Sequence, residues 1–322
     1  MIKNFWKQLK NPILALAPMA GITDSTFRQV CRENGCDVAY SEMASVSALF
    51  FKPARTLELL KFGPAEHPYV VQLFGKDPKH FARATQIVSS EVKPDGIDIN
   101  FGCPAKKVFG HGSGCALMPQ PELAREIISA VCENTDLPVS IKIRAGIKDL
   151  TAIHFIEKIK DLPFTTVMVH GRTYEGGFSA VPNFAVVEEI KKIIPDKIVL
   201  ANGGINTPED AKNILEKYPT IDGLGIARGA WGRPYLFDEI KNLLASHRDE
   251  ACLVSTGEYD FTRIKKIAIH HAELLWQKKG ATGMFEIRKH LAWYFKGFPN
   301  ASELRQKLVQ AQSVEEIKNI LQ

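Results

Sequence analysis

The chain reads as an α/β protein: a (β/α)8 TIM barrel followed by a small all-α C-terminal domain. Three features point there. Eight short β-rich runs alternate with helix-patterned stretches, which implies right-handed βαβ units and a parallel sheet of barrel size. The strand bodies, such as VVQLF, TVMV and KIVLA, are almost continuously apolar, as in a sheet covered on both faces. No Gly-x-Gly-x-x-Gly follows the first run, which disfavours the rival, a doubly wound open sheet.

Taken in order, strands are expected at Ile13–Ala17, Val38–Glu42, Tyr69–Phe74, Gly96–Phe101, Val139–Arg144, Thr166–His170, Lys197–Ala201 and Gly223–Ala227. Between them, Phe27, Val30 and Cys31 keep helical spacing, as do Leu123, Ile127, Ile128 and Val131. Pro234–Ala245 reads as one more helix, and Ser246–Tyr259 as a polar loop. From Asp260 to Gln322 only helical periodicity remains, carried by Ile264, Ile267, Ala268, His271, Leu274 and Leu275, then Leu304, Leu308 and Ile317. A barrel at 1–245 and a helical domain at 256–322 follow.

The composition, 45% hydrophobic and 24% charged over 322 residues, excludes disorder and fibre. No apolar run approaches the roughly 20 residues of a membrane span. The lysines before Ile13 invite a signal-peptide reading. Five apolar residues between two prolines fall short of the roughly 7–15 of an h-region. A cytoplasmic protein is therefore expected, with a monomer as the default and oligomeric state open. The six cysteines (Cys31, Cys36, Cys103, Cys115, Cys132 and Cys252) form no C-x-x-C pair, and no His stands at zinc-finger spacing. No metal site is expected, and most thiols should be small buried hydrophobes. Cys103 is the exception, because it follows a strand at once and sits between Gly102 and Pro104.

Parallel barrels place their chemistry at the C-terminal strand ends. Those ends carry Pro18-Met19-Ala20, Ser41-Glu42-Met43, Gln72, Asn100 with Cys103, Lys142 with Arg144, His170 with Arg172, Asn202-Gly203-Gly204 and Ala227-Arg228. Polar groups inside a barrel are costly unless paired, so their clustering at one end implies a ligand site. The two Gly-rich tips, with Arg228 beside them, suit a phosphate, although Gly-Gly also makes an ordinary tight turn. Lys142 should face inward and needs either a carboxylate or an anionic ligand such as a flavin. His170 is either a satisfied core histidine or a ligand contact.

At this point APMAGITD (17–24), SEM (41–43), VQLFG (71–75), DINFGCPAKKV (98–108), IKIR (141–144), VHGRT (169–173), ANGGI (201–205) and ARGAWGRP (227–234) together resemble the tRNA-dihydrouridine synthases. RKHLAWY (288–294) resembles their C-terminal helical domain, and with GCPAKKV is most similar to the bacterial B-type branch. The resemblance implies an FMN-binding barrel, a helical tRNA-binding domain, and NADPH-dependent reduction of the C5–C6 bond of particular uridines. It implies FMN contacts from Pro18, Met19, Ala20, Gln72, Lys142 and His170. Asn202, Gly203, Gly204, Ala227 and Arg228 would hold the phosphate; Ala227 stands where many relatives carry Gly. Asn100 would lie between flavin and uracil, and Cys103 matches the family's general acid. A thiol, with a reference pKa of roughly 8.5, can donate a proton at neutral pH. A nucleophilic role is the rival, but no base–orienter pair is evident.

The substrate would be contacted by Asn100, Lys106, Lys107, Arg144, Arg172, Arg288 and Lys289. The loop 106–118 reads either as a mobile cover or as an ordinary connection. Between Asp260 and Lys296, eight basic residues stand against three acidic ones, an excess equal to the net charge of +5 of the whole chain. That concentration favours RNA phosphate contact over a merely solvated face. Of the interleaved Trp276, Phe285, Trp293, Tyr294 and Phe295, most are expected in the core. Three alternatives stay open: rRNA as substrate, a free pyrimidine handled by a dihydroorotate dehydrogenase-like barrel, and an RNA-binding protein without catalysis.

Overall fold

The structure, a computed structural model, describes residues 4–246, 261–298 and 301–322. Eight parallel strands close into a ring: β1 (Ile13–Leu16), β2 (Val38–Tyr40), β3 (Tyr69–Phe74), β4 (Gly96–Asn100), β5 (Val139–Ile147), β6 (Thr166–Thr173), β7 (Ile198–Asn202) and β8 (Gly223–Ile226). Each strand pairs with its sequence neighbours, and β8 returns to β1 through Ile13↔Gly223 and Leu16↔Ile226.

Alternation along the strands divides the core in two. Outward residues such as Leu14, Leu16, Val71, Ile97, Ile99 and Ile141 pack against the surrounding helices. Inward residues Ile13, Ala15, Val38, Tyr40, Val70, Met168 and Leu200 fill the lower barrel, with Trp6 packed among them. Towards the C-terminal ends the interior turns polar: Asp98, Gln72, Ser140, Asn100, His170 and Asn202 are all buried. This change of polarity sets the position of the site.

Two strands run further than their sequence suggests. β5 continues past Arg144 to Ile147 and β6 past His170 to Thr173, because they go on pairing beyond the rim, Gly146 with Thr173, across an irregularity after Arg144. β2 ends at Tyr40 rather than Glu42. Ser246, expected to open a loop, ends the helix Leu236–Ser246. The rest of that loop, Cys252 and residues 256–260 lie outside the described residues.

Four further helices, Phe261–Lys279, Ala281–Tyr294, Ala301–Leu308 and Val314–Ile320, share a separate core that includes Ile264, Ala268, Leu275, Met284, Ile287, Leu291, Leu308 and Ile317. They dock on the barrel helix Ser25–Glu33 through His271, whose Nε2 lies 3.2 Å from Thr26 Oγ1, and through His290, stacked at 5.0 Å on Phe27. The expected core aromatics divide: Tyr294 and Phe295 are buried, whereas Trp276, Phe285 and Trp293 are exposed. Among the described residues no helix is long and apolar enough to cross a membrane, and no His/Cys/Asp/Glu group could hold a metal ion.

Candidate active site

The polar end of the barrel opens into a cavity of about 610 Å³ lined by all eight strand ends. Five cations border it: Lys106, Lys142, Arg144, Arg172 and Arg228. No carboxylate is among its lining residues. Such an imbalance inside a protein calls for an anionic occupant, since like charges crowded without counter-charge repel.

One wall is an anion cup. Gly203 and Gly204 lie at φ of +105° and +73°, conformations that favour glycine and allow close backbone approach. Arg172 reaches over them, its Nη1 3.3 Å from His170 Nε2, and its Nε donates to the Ala180 carbonyl. Burial, then the charges of Lys142, Arg144, Arg172 and Arg228, push the His170 imidazole down to about 2, so it is neutral and can accept. Arg172, expected on the substrate, stands beside Gly203 and Gly204 and lines the same cavity. Phe178, which sequence reading missed, closes this wall with the Arg228 guanidinium 4.8 Å over its ring.

On the floor, Lys142 faces inward as its alternation required. Its ammonium donates to Asn202 Oδ1 at 3.1 Å, and Asn202 is held in turn by the Gly225 carbonyl at 2.6 Å. Burial lowers the Lys142 pKa to about 8, against the pull of Asp98. Among the described residues its hydrogen-bond partner is thus an amide, with Asp98 acting only through its charge, which leaves the lysine suited to a developing negative charge.

The opposite rim holds the thiol. Cys103 is half-buried, and its turn is fixed from both sides. Asn100 Oδ1 accepts from the Gly102 and Cys103 N–H groups at 3.1 and 2.9 Å. Arg144 Nε donates to the Gly102 carbonyl at 3.1 Å, while its Nη1 ties Thr173 and Gly177 at 2.7 and 3.1 Å. Arg144, expected on the substrate, thus braces the turn through Nε and Nη1 while it also lines the cavity. The loop 106–118 is folded, as the short helix Lys106–Gly110 and a tight turn at Gly114–Leu117, and Cys115 N–H donates to the Cys103 carbonyl at 3.2 Å.

The remaining expected residues are spread around this frame. Pro18, Met19 and Ala20 line the β1 side, where Met19 N–H donates to Thr23 Oγ1 at 3.1 Å, and Ala227 lines the β8 side. Gln72 lies beneath Asn100. Lys106 borders the mouth, whereas Lys107 is exposed outside it. Lys289 reaches the mouth from the helix Ala281–Tyr294 by donating to the Gly21 carbonyl. Arg288 does not: it turns back to Phe285, 4.6 Å from the ring, and to the Ala311 carbonyl.

A family model described as dihydrouridine synthase (Dus) matches residues 15–322. The chain belongs to the dihydrouridine synthase family. Among curated relatives, tRNA-dihydrouridine synthase B of Vibrio vulnificus is 34% identical over 92% of this chain and 90% of its own length. Probable tRNA-dihydrouridine synthase 1 of Synechocystis is 34% identical over 95% and 84%. Among solved structures, TcOYE with pHBA superposes with a TM-score of 0.51 at 10% identity, covering 71% of this chain and 88% of that one. A 2-naphthoyl-CoA reductase complex gives 0.57 at 10% identity, covering 71% and 50%. At such identity the two structures speak for the barrel alone. In the family setting, the strand-end residues are the ones to read for chemistry, and the thiol and the anion cup are their two poles.

Proposed function

We propose that this dihydrouridine synthase is an FMN-dependent enzyme that reduces particular uridines of tRNA, with NADPH as reductant. The observation that carries the reading is a braced thiol at the rim of a cavity that has five bordering cations and no carboxylate. The residues fit FMN: the Gly203–Gly204 cup with Arg228 and Arg172 would hold the phosphate, and Lys142, Gln72, His170 and the wall Pro18-Met19-Ala20 would hold the ring and its side chain. When bound and reduced by NADPH, FMN supplies the hydride that adds to uracil C6. Lys142 would offer the ring a positive charge, and neutral His170 would offer an acceptor. Cys103 delivers the proton to C5 as electron density arrives there from the C4 carbonyl system; the thiolate left behind regains its proton from water. Asn100 and Arg144 keep the sulfur at the rim during that transfer.

The basic helical region supports RNA over a free pyrimidine, since Lys289 and Lys278 stand at the barrel mouth or beside it, on Gly21 and Ser25. In this proposal residues 1–245 are catalytic and 256–322 bind tRNA, in a cytoplasmic monomer. A uridine inside folded tRNA would swing out to reach the cavity. The test is dihydrouridine mapping in tRNA and rRNA from a strain lacking the gene, with activity of the purified protein on that RNA. Loss of specific tRNA positions and their restoration in vitro is expected; loss confined to rRNA would overturn the tRNA assignment. Cys103→Ala should keep flavin absorbance and tRNA binding while losing about 10²–10⁴ of turnover. Full turnover in that variant would refute the acid role.

A further inference from the structure

One buried carboxylate has no part in the chemistry above. Asp98 sits on β4 one inward position below Asn100, fully buried. Its Oδ2 accepts from Gln72 Nε2 at 2.7 Å and its Oδ1 from Ser140 Oγ at 2.6 Å. Gln72 Oε1 then accepts from Asn100 Nδ2 at 2.9 Å, and Asn100 Oδ1 accepts from the N–H groups of Gly102 and Cys103. Two side-chain amides therefore stand in series between groups of fixed character. An ionised carboxylate can only accept, and backbone N–H groups can only donate. Each amide must point its nitrogen towards Asp98 and its oxygen towards Cys103. The remaining hydrogen of Asn100 Nδ2 is donated to Met43 Sδ, 3.7 Å away, and both residues line the cavity.

We propose that Asp98 is a positioning residue that anchors the Gln72–Asn100 amide pair from below, while the N–H groups of the Cys103 turn orient it from above, so that this sector presents an ordered amide face to a carbonyl-bearing ring and the turn of Cys103 is held. The inference rests on the functional reading above for the identity of that ring. Reversing Asn100 would set N–H against N–H at the Cys103 turn, and reversing Gln72 would set its N–H against Asn100 Nδ2 and its oxygen against the Asp98 carboxylate, leaving buried groups unpaired. Burial raises the Asp98 carboxyl to about 6, against the hydrogen bonds of Gln72 and Ser140 and the charge of Lys142. Lys142 and the Tyr40 hydroxyl, the latter 3.5 Å from Ser140 Oγ, are the titratable groups that face it from neighbouring strands. Below that pH a protonated Asp98 is a weaker acceptor for Gln72, as the amide of Asp98→Asn would be, and the lower end of the series is held less firmly.

The experiment compares wild type with Asp98→Asn and Ser140→Ala, each stripped of flavin and titrated with FMN at pH 7.5 and pH 5. Asp98→Asn should weaken FMN roughly two- to tenfold at pH 7.5, the worth of one ordinary hydrogen bond. The gap should close at pH 5, where the wild-type carboxyl is itself neutral; FMN phosphate titration is common to both proteins and cancels. A merely structural role predicts a gap that does not change with pH, and that result, or no gap at pH 7.5, overturns the inference. Ser140→Ala should shift affinity the same way by less, and carries the same comparison should Asp98→Asn not fold. Alkylation of Cys103 by iodoacetamide in flavin-free protein gives a second reading. The rate should rise in both variants, and unchanged rates count against the inference even if wild type proves to bind no FMN. Failure of wild type to bind FMN is failure of the functional reading instead.

Discussion

Gly203 shows how closely a single position is constrained at this site. A Cβ added there would lie 2.5 Å from His170 Cδ2 and 2.7 Å from its Nε2, and the backbone is at φ of +105°. Gly203→Ala must both strain the chain, at a cost of about 1–3 kcal/mol, and push His170 away from Arg172. The folded variant is expected to bind FMN at least about tenfold more weakly, read by flavin titration; wild-type affinity would remove Gly203 from the phosphate cup. Cys103 and the glycines were legible in the sequence because each carries its meaning locally: a reactive group on a turn, or freedom of the backbone. Arg144 and Arg172 were not. Both follow strand ends, and nothing in IKIR or HGRT says whether a guanidinium meets a ligand or three carbonyls of its own chain.

Among elements, the helix Ser25–Glu33 joins the mouth to the C-terminal helices. Its N-cap is Asp24, which accepts from Phe27 N–H at 3.0 Å and from Thr26 Oγ1 at 2.7 Å. Burial alone would raise this carboxyl, but His271, His290 and those two hydrogen bonds outweigh it and hold the pKa at about 2. Burial pushes His271 down to about 4 and His290 well below the usual imidazole value. Between about pH 6.5 and 4 the unfolded chain therefore binds more protons than the folded one, and stability falls as pH falls. His271 alone accounts for about 3 kcal/mol by pH 4. Thermal melts should show Tm dropping across that window. His290 makes no hydrogen bond among the described residues and stacks on Phe27, so His290→Phe should fold and flatten the drop. An equally steep drop in the variant would exclude His290 as a source.

Over the whole molecule, positive charge borders the mouth from both sides. Lys106 follows the thiol's turn on the barrel, while Lys278 and Lys289 reach the opposite rim from the helical region, at Ser25 and Gly21. If one RNA spans both, Lys106→Glu and Lys289→Glu should each weaken tRNA binding and lower the salt slope by roughly one. Gel shifts at several salt concentrations check this; an unchanged slope for either variant would take that side out of the interface. Arg288, expected on the RNA together with Lys289, should have the smaller effect, since its guanidinium is engaged with Phe285 and Ala311.

The linear chain was enough to give the barrel, the order of its strands, the thiol at the tip of β4 and the helical appendage. Each of these is written in short-range periodicity or in residues adjacent along the backbone. It could not give which groups face one another. Closure of β8 onto β1 puts residues about two hundred positions apart on one rim, and only then do five cations gather around a cavity without a carboxylate. The direction of the Asp98–Gln72–Asn100 series and the seat of Lys289 on Gly21 are decided in the same way. Hydrogen-bond polarity and charge balance are properties of neighbours in space, and spacing along a sequence does not determine those neighbours.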